Sequence, residues 1–329
     1  MIFPEIVSKT IESGQIDSSK MQIGEMENAN WLHKDKPVVF VVINPKSRQG
    51  NSVKDEVIKT LDARGAQVLL PDLHEESIDP NELILKLSDK IDLVCVAGGD
   101  GSVNHILPSL LKINKPVLVI PCGTANNLAR TYSIPLKPAE AVTALMGGEL
   151  RLIDVGLINE IPFLNVAGLG LSTEVNLHVN KKLKKIFGVS AFIMTAFTMA
   201  LRMKPFRAVV TVDGGRPIFT RSWQISICNG KHYGSGLTIE KDATLEDCKI
   251  HLLSTEVAKW WHSLKLIHCF IKGDFTKEDQ VMLISGKTMS IETRRRFWVD
   301  VDGDVKTATP VSISVLPRSL QLLVPRKSE

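Results

Sequence analysis

No long apolar run, no paired-cysteine motif and no large excess of one charge occurs in this chain of 329 residues. Each absence removes a class of protein. The apolar stretch at residues 186–201 falls short of the ~20 residues a membrane-spanning helix needs. The five cysteines (Cys95, Cys122, Cys228, Cys248 and Cys269) are odd in number, widely spaced, and none forms a CxxC. That suggests neither a zinc site nor a disulfide framework, and a reducing cytoplasm suits the chain. A net charge of +4 is too small to argue for nucleic acid as a partner, and no RNA- or DNA-binding motif is present. Residues 1–36 lack the basic start and apolar core of a secretory signal. They read as a loosely docked N-terminal extension.

What is present is an ordinary globular composition, 44% hydrophobic and 23% charged, at a length suited to two domains. The most informative stretch, residues 93–104, reads LVCVAGGDGSVN. LVCVA has the length and β-branched content of a buried strand. Gly98 and Gly99 then permit a turn that leaves backbone N–H groups free to face a ligand. Ser102 is placed to cap the helix that follows, whose N-terminus attracts anions. An isolated Gly-Gly-Asp-Gly turn also serves as a plain tight connection. Two further loops turn the balance: residues 38–50 (VVFVVINPKSRQG) and 117–130 (VLVIPCGTANNLAR) are again apolar strands running into small polar residues. Three such strands match a parallel sheet whose ligand loops lie at the strand C-terminal ends.

The strands fall near residues 38–43, 66–70, 91–97 and 117–120, with helical patterns between them at 52–63 and 80–87. This alternation predicts an α/β domain with a mostly parallel sheet. After Asp154 the pattern changes to short antiparallel strands, at 207–212, 222–228, 249–253, 288–293 and 297–301, with Asp213-Gly214-Gly215 as a hairpin turn. The run 312–324 is apolar again. Two basic-ended helical stretches remain open between core packing and a lipid-facing surface. One is residues 181–207, where each Lys or Arg near an anionic surface would add roughly 1 kcal/mol. The other is residues 256–272, with Trp260 and Trp261.

At this point the loops resemble one family. GGDGSVN (98–104), NPKSRQG (44–50) and GTANNLAR (123–130) are similar to blocks of the diacylglycerol kinase catalytic-domain family, the bacterial YegS-like and DgkB-like lipid kinases. IDVG (153–156), FLNVAGLG (163–170), NGKHYGSGLTI (229–239), ATLEDCKIHLL (243–253) and VDGD (301–304) continue the likeness in family order. The resemblance implies an N-terminal α/β nucleotide-binding domain over 37–153 (plus 316–329). It implies a β-sandwich-like lipid-substrate domain over 154–315, and a C-terminal tail that returns to the first domain.

It also implies a reaction, transfer of the γ-phosphoryl group of ATP to a lipid hydroxyl, with Mg²⁺ as the divalent ion. Backbone N–H groups of Gly98, Gly99, Asp100, Gly101, Ser102, Val103 and Asn104 would hold the phosphates. Asn44, Pro45, Lys46, Ser47, Arg48, Gly123, Thr124 and Asn126 would complete the nucleotide site. Asp100 and Asp154 would lie near the Mg²⁺ and its waters. Asp302 is the first choice of general base, with Asp304 standing where most relatives carry Glu. An isolated Asp-Gly-Asp would be only a hairpin turn. A second, structural Mg²⁺ would take the Asp247 side chain and the carbonyls of Thr244 and Lys249.

The chain departs from the family at His105 (usually Glu), Asn127 (often Asp) and Cys248 (usually Gly). The alternatives are a catalytically silent nucleotide- or lipid-binding protein and an NAD kinase. The Gly-Ser-Thr-Ala-Tyr block of the latter is missing, as is the substrate block of phosphofructokinase. The implied partners are ATP, a lipid and the inner membrane face, reached peripherally from the cytoplasm. The identity of the lipid and the oligomeric state stay open.

Overall fold

Three apolar runs with no polar side chain form parallel strands enclosed on both faces. In the computed structural model these are β1 (Val38–Ile43), β3 (Leu93–Gly98) and β4 (Val117–Pro121). The short β2 (Gln67–Leu69) pairs parallel to β1. The structure describes residues 36–43, 50–71, 79–178, 204–230, 232–233, 237–238, 243–255 and 281–326. Nucleotide-loop residues Asn44, Pro45, Lys46, Ser47 and Arg48 therefore lie outside the described residues. So do the N-terminal extension through residue 35, Trp260 and Trp261, and most of the two basic-ended helical stretches.

Helices α1 (Gly50–Ala63), α2 (Pro80–Lys86), α3 (Asp100–Ile113), α4 (Asn127–Thr131) and α5 (Pro138–Met146) connect these strands. α2 starts where its sequence says it should. Asp79 accepts the Asn81 N–H at 2.9 Å and Pro80 fills the first helical position. Two apolar cores cover the two faces of the parallel sheet. One gathers Val94, Val103, Leu107, Leu128 and Leu322, the other Val41, Val57, Cys95, Leu118 and Leu145. Cys95 is thus a small core residue whose thiol burial pushes far above its ordinary range.

The second half is antiparallel. Strand β5 (Glu149–Ile158) runs straight through the change of pattern expected at residues 153–154. It is followed by β6 (Ile161–Phe163), β7 (Val166–Gly170), helix α6 (Leu171–His178), β8 (Phe206–Val212), β9 (Ile218–Ser222) and β10 (Gln224–Cys228). Then come β11 (His232–Tyr233), β12 (Leu237–Thr238), β13 (Ile250–Thr255), β14 (Val281–Gly286) and β15 (Thr288–Thr293). The chain closes with β16 (Trp298–Val301), β17 (Asp304–Ala308) and β18 (Val311–Val324).

The larger sheet has the order β2-β1-β3-β4-β18-β15-β8-β9, with β5 and β6 branching from β18; the smaller has the order β14-β13-β10-β7-β16-β17. The C-terminal run does return. Leu322 pairs with Val117 of β4, while Ile313 pairs with Met289 of β15. One strand thereby joins the parallel sheet to the antiparallel one. It bends at Arg318, which sits at φ +48° where its register with β5 shifts. Leu169, Ile225, Leu252, Ile291, Val301 and Ile313 fill the space between the two sheets.

The Asp213-Gly214-Gly215 hairpin forms as read: Asp213 and Gly214 both have positive φ, and the Gly215 N–H donates to Val212 O at 2.8 Å. The Ser102 reading needs correction. α3 begins three residues earlier than a Ser102 cap would place it, with Gly99 at the N-cap and no side chain capping it. Ser102 lies inside the first turn, its side chain packed against Gly98.

Candidate active site

The two glycine loops meet backbone to backbone. A Cβ on Gly123 would lie 2.6 Å from the Gly99 Cα and 2.8 Å from Asn126 Oδ1. Asn126 sits at φ +49°, a conformation asparagine tolerates, and its side chain closes the second loop. Its Oδ1 accepts the Gly123 N–H and its Nδ2 donates to Gly123 O, both at 2.9 Å.

Asp100 joins the two helices that leave these loops. Its carboxylate accepts the N–H groups of Asn127 at 3.0 Å and Leu128 at 3.2 Å. An acid at a helix N-terminus is well placed electrostatically. Of the first amides of α3, those of Ser102 and Val103 donate to Gly99 O at 2.9 and 3.4 Å, which leaves those of Asp100 and Gly101 without a partner in the helix, and no side chain caps them. Gly101 and Thr124 are exposed beside this surface, whereas Val103 and Asn104 turn inward. Asn104 is only 7% exposed, yet neither its Oδ1 nor its Nδ2 has a partner. The Asn127 Oδ1, at 6% exposure, is in the same state.

Asp154 is fully enclosed, at 0% exposure. It accepts the Cys248 N–H at 2.6 Å and the Arg318 N–H at 2.8 Å, while its own N–H donates to Leu245 O at 2.6 Å. Burial pushes its carboxyl up, against the pull of those amides. Its oxygens tie the 243–248 loop to the β18 bend. Cys248 occupies φ +58°, which favours the glycine usual in the family.

Asp302 and Gly303, at φ +50° and +96°, make the hairpin between β16 and β17. The Asp302 carboxylate collects three main-chain N–H groups, from Leu164 at 2.9 Å, Asn165 at 3.1 Å and Val166 at 2.9 Å. Burial drives this carboxyl up to about 6, although the same amides pull it down. Asp304, two residues on, is exposed. β6 packs against α3, and Leu164 shares a core with Val103 and Ile106. The Asp302 turn is therefore linked to the Gly-Gly-Asp-Gly helix through one buried segment.

Asn229 was legible only as part of a block. Its Nδ2 donates to Asp154 O at 2.7 Å and to Leu164 O at 3.2 Å, so one buried amide joins the two acidic centres. Nothing in its spacing signals that role.

The two ion positions differ in fit. Asp100 is half-buried, and two of its roughly four lone-pair positions are taken by amides. It fits a Mg²⁺ that is held mainly by phosphate oxygens and water. Asp247 fits a cation poorly. Its oxygens accept the Thr244 N–H at 3.1 Å, the Lys249 N–H at 3.0 Å and His251 Nε2 at 2.9 Å. Burial raises its carboxyl, but the His251 and amide bonds outweigh that and hold it below the usual carboxylate range.

Among the described residues no helix is long and apolar enough to cross a membrane. The sequence model of the Diacylglycerol kinase catalytic domain matches residues 38–158. That of the YegS C-terminal NAD kinase beta sandwich-like domain matches residues 165–324. A Mycobacterium tuberculosis protein named diacylglycerol kinase is 31% identical over 298 residues, covering 88% of this chain and 95% of its own. A Bacillus subtilis diacylglycerol kinase is 25% identical over 242 residues, covering 72% and 79%. Among solved structures, a diacylglycerol kinase from Bacillus anthracis superposes with a TM-score of 0.67 at 21% identity, over 88% of this chain and 97% of its own. That likeness establishes the shared fold.

Proposed function

Because the chain belongs to the diacylglycerol kinase catalytic-domain family, we propose that it is an ATP- and Mg²⁺-dependent lipid kinase. It transfers the γ-phosphoryl group to the hydroxyl of a diacylglycerol-like lipid. The observation that carries the reading is the bare backbone surface where Gly99 meets Gly123. Side chains are excluded there, and the Asp100 and Gly101 amides at the start of α3 supply donors for phosphate oxygens. Residues 44–48, the turn from Gly98 to Ser102, Gly123, Thr124 and Asn126 make up the nucleotide site, while Val103 and Asn104, expected there from sequence, face the core. Mg²⁺, when bound, spreads the charge that develops on the phosphoryl oxygens, and Asp100 is the carboxylate that would hold it.

The acceptor hydroxyl must lose a proton. Asp302 has committed its carboxylate to three amides, which take three of its roughly four lone-pair positions and fix it in the turn. Asp304 stands exposed at the other end of the same turn. Asp304 is therefore the base and Asp302 the residue that holds the turn. The sequence put Asp302 first and kept Asp304 as the other candidate; the hydrogen bonds of Asp302 are what support the assignment to Asp304. Asp154 positions the 243–248 loop and the β18 bend and takes no part in proton transfer. The protein works from the cytoplasm at the inner membrane face, where such a lipid is found.

Incubating the purified protein with γ-labelled ATP, Mg²⁺ and a panel of lipids tests the reading. A labelled lipid is expected. Labelled NAD with no lipid product, or no transfer to any acceptor, would overturn it.

A further inference from the structure

The family resemblance places a structural Mg²⁺ on Asp247, yet the groups around this carboxylate are donors. Thr244 N–H and His251 Nε2 both reach Oδ2, at 3.1 and 2.9 Å, and Lys249 N–H reaches Oδ1 at 3.0 Å. An ionised carboxylate only accepts, so the His251 ring donates from Nε2. Three of about four lone-pair positions are then taken by N–H groups whose positive ends converge on the same two oxygens. Mg²⁺ requires the reverse, near-octahedral oxygen acceptors at close range. Thr244 and Lys249, the two residues whose carbonyls were expected on an ion, each direct an N–H to Asp247.

His251 is built into the fold for this contact. It is 4% exposed and is the second residue of β13, paired with Cys228 of β10 on one side and Ser285 of β14 on the other. Its position relative to the loop is thus set by two neighbouring strands. The loop it grips carries Leu245 and Cys248, whose main-chain groups hold Asp154. We propose that His251 is a positioning residue that clamps Asp247 and does the work of a divalent ion, so that the 243–249 loop closes without metal. A side-chain N–H from a rigid strand replaces a bound cation as the partner that fixes the carboxylate.

The test reads melting rather than turnover, with nucleotide absent, and so stands apart from the kinase reading. The full chain is unfolded thermally in EDTA and again in excess MgCl₂. The wild-type Tm is expected to be the same in both. His251→Val removes the donor and frees the carboxylate; it is expected to melt several degrees lower in EDTA and to recover part of that loss in Mg²⁺. His251→Gln, which keeps a side-chain N–H, is expected to melt closer to wild type and to ignore Mg²⁺. A wild-type Tm that rises in Mg²⁺, with the rise abolished by Asp247→Asn, would overturn the proposal even if the histidine variants failed to fold.

Discussion

Gly123 stands so close to Gly99 that a methyl group on the former would lie 2.6 Å from the Cα of the latter. What it would meet is backbone, which has no flexible end to move aside. Gly123→Ala is therefore expected to push the two loops apart at a cost of about 1–3 kcal/mol, the usual range for overpacking. Affinity for ATP should fall with it, since the amides that face the phosphates move. Denaturant melts together with nucleotide-binding titrations check both effects. Gly101→Ala is the control for stability alone, because nothing in the protein stands within 4 Å of a Cβ there.

Asp302 and Asp304 should separate cleanly. Asp304→Asn is expected to fold with unchanged stability and to lose about 10²- to 10⁴-fold in kcat, the usual contribution of a positioned base. Its KM for ATP should stay as it is. Asp302→Asn replaces one acceptor oxygen by an NH₂ group facing main-chain donors. It should lose stability by about 1–3 kcal/mol as well as activity. Steady-state kinetics and urea melts on the two variants make the comparison.

The Asp302 carboxyl also gives stability a pH dependence with a definite sign. Its pKa rises from about 4 in the unfolded chain to about 6 in the folded protein, through burial. The folded state thus binds the proton more tightly. The resulting contribution is present in full below about pH 4 and is lost as pH rises through about 6, by about 3 kcal/mol in all. Subtracting the urea-derived stability of Asp302→Asn from that of the wild type across this window should show the decline. A flat difference would place the carboxyl in water.

Asn229→Ala tests the link between the two acidic centres. Removing the amide leaves the carbonyls of Asp154 and Leu164 without their buried donor, which costs about 1–3 kcal/mol per group left unsatisfied. Chemical denaturation should show a loss in that range or above it. A loss no larger than that of a surface substitution would mean that Asn229 does not join the two centres.

Much of this was legible in the sequence, for physical reasons. VVFVVI, LVCVAG and VLVIP are buried on both faces, so their apolar content alone marked them as parallel strands. Asp-Gly-Gly at 213–215 announced its turn because two successive residues needed positive φ. What stayed hidden depends on contacts distant in sequence. Asp154 and Asp302 read only as acids, because nothing local shows that amides from residues 248 and 318, or 164–166, will bond to them. His251 carried no signal either, since only the register of β13 brings it over Asp247.

The central claim is that a triphosphate rests on the Gly99–Gly123 surface and passes its last phosphoryl group to a lipid. The most direct measurement is the transfer of label from γ-labelled ATP in the presence of Mg²⁺ and lipid vesicles, with the products separated by phase. The account predicts label in the lipid phase for the wild type and almost none for Asp304→Asn. Label confined to a soluble acceptor, or a wild-type rate retained by Asp304→Asn, would contradict it.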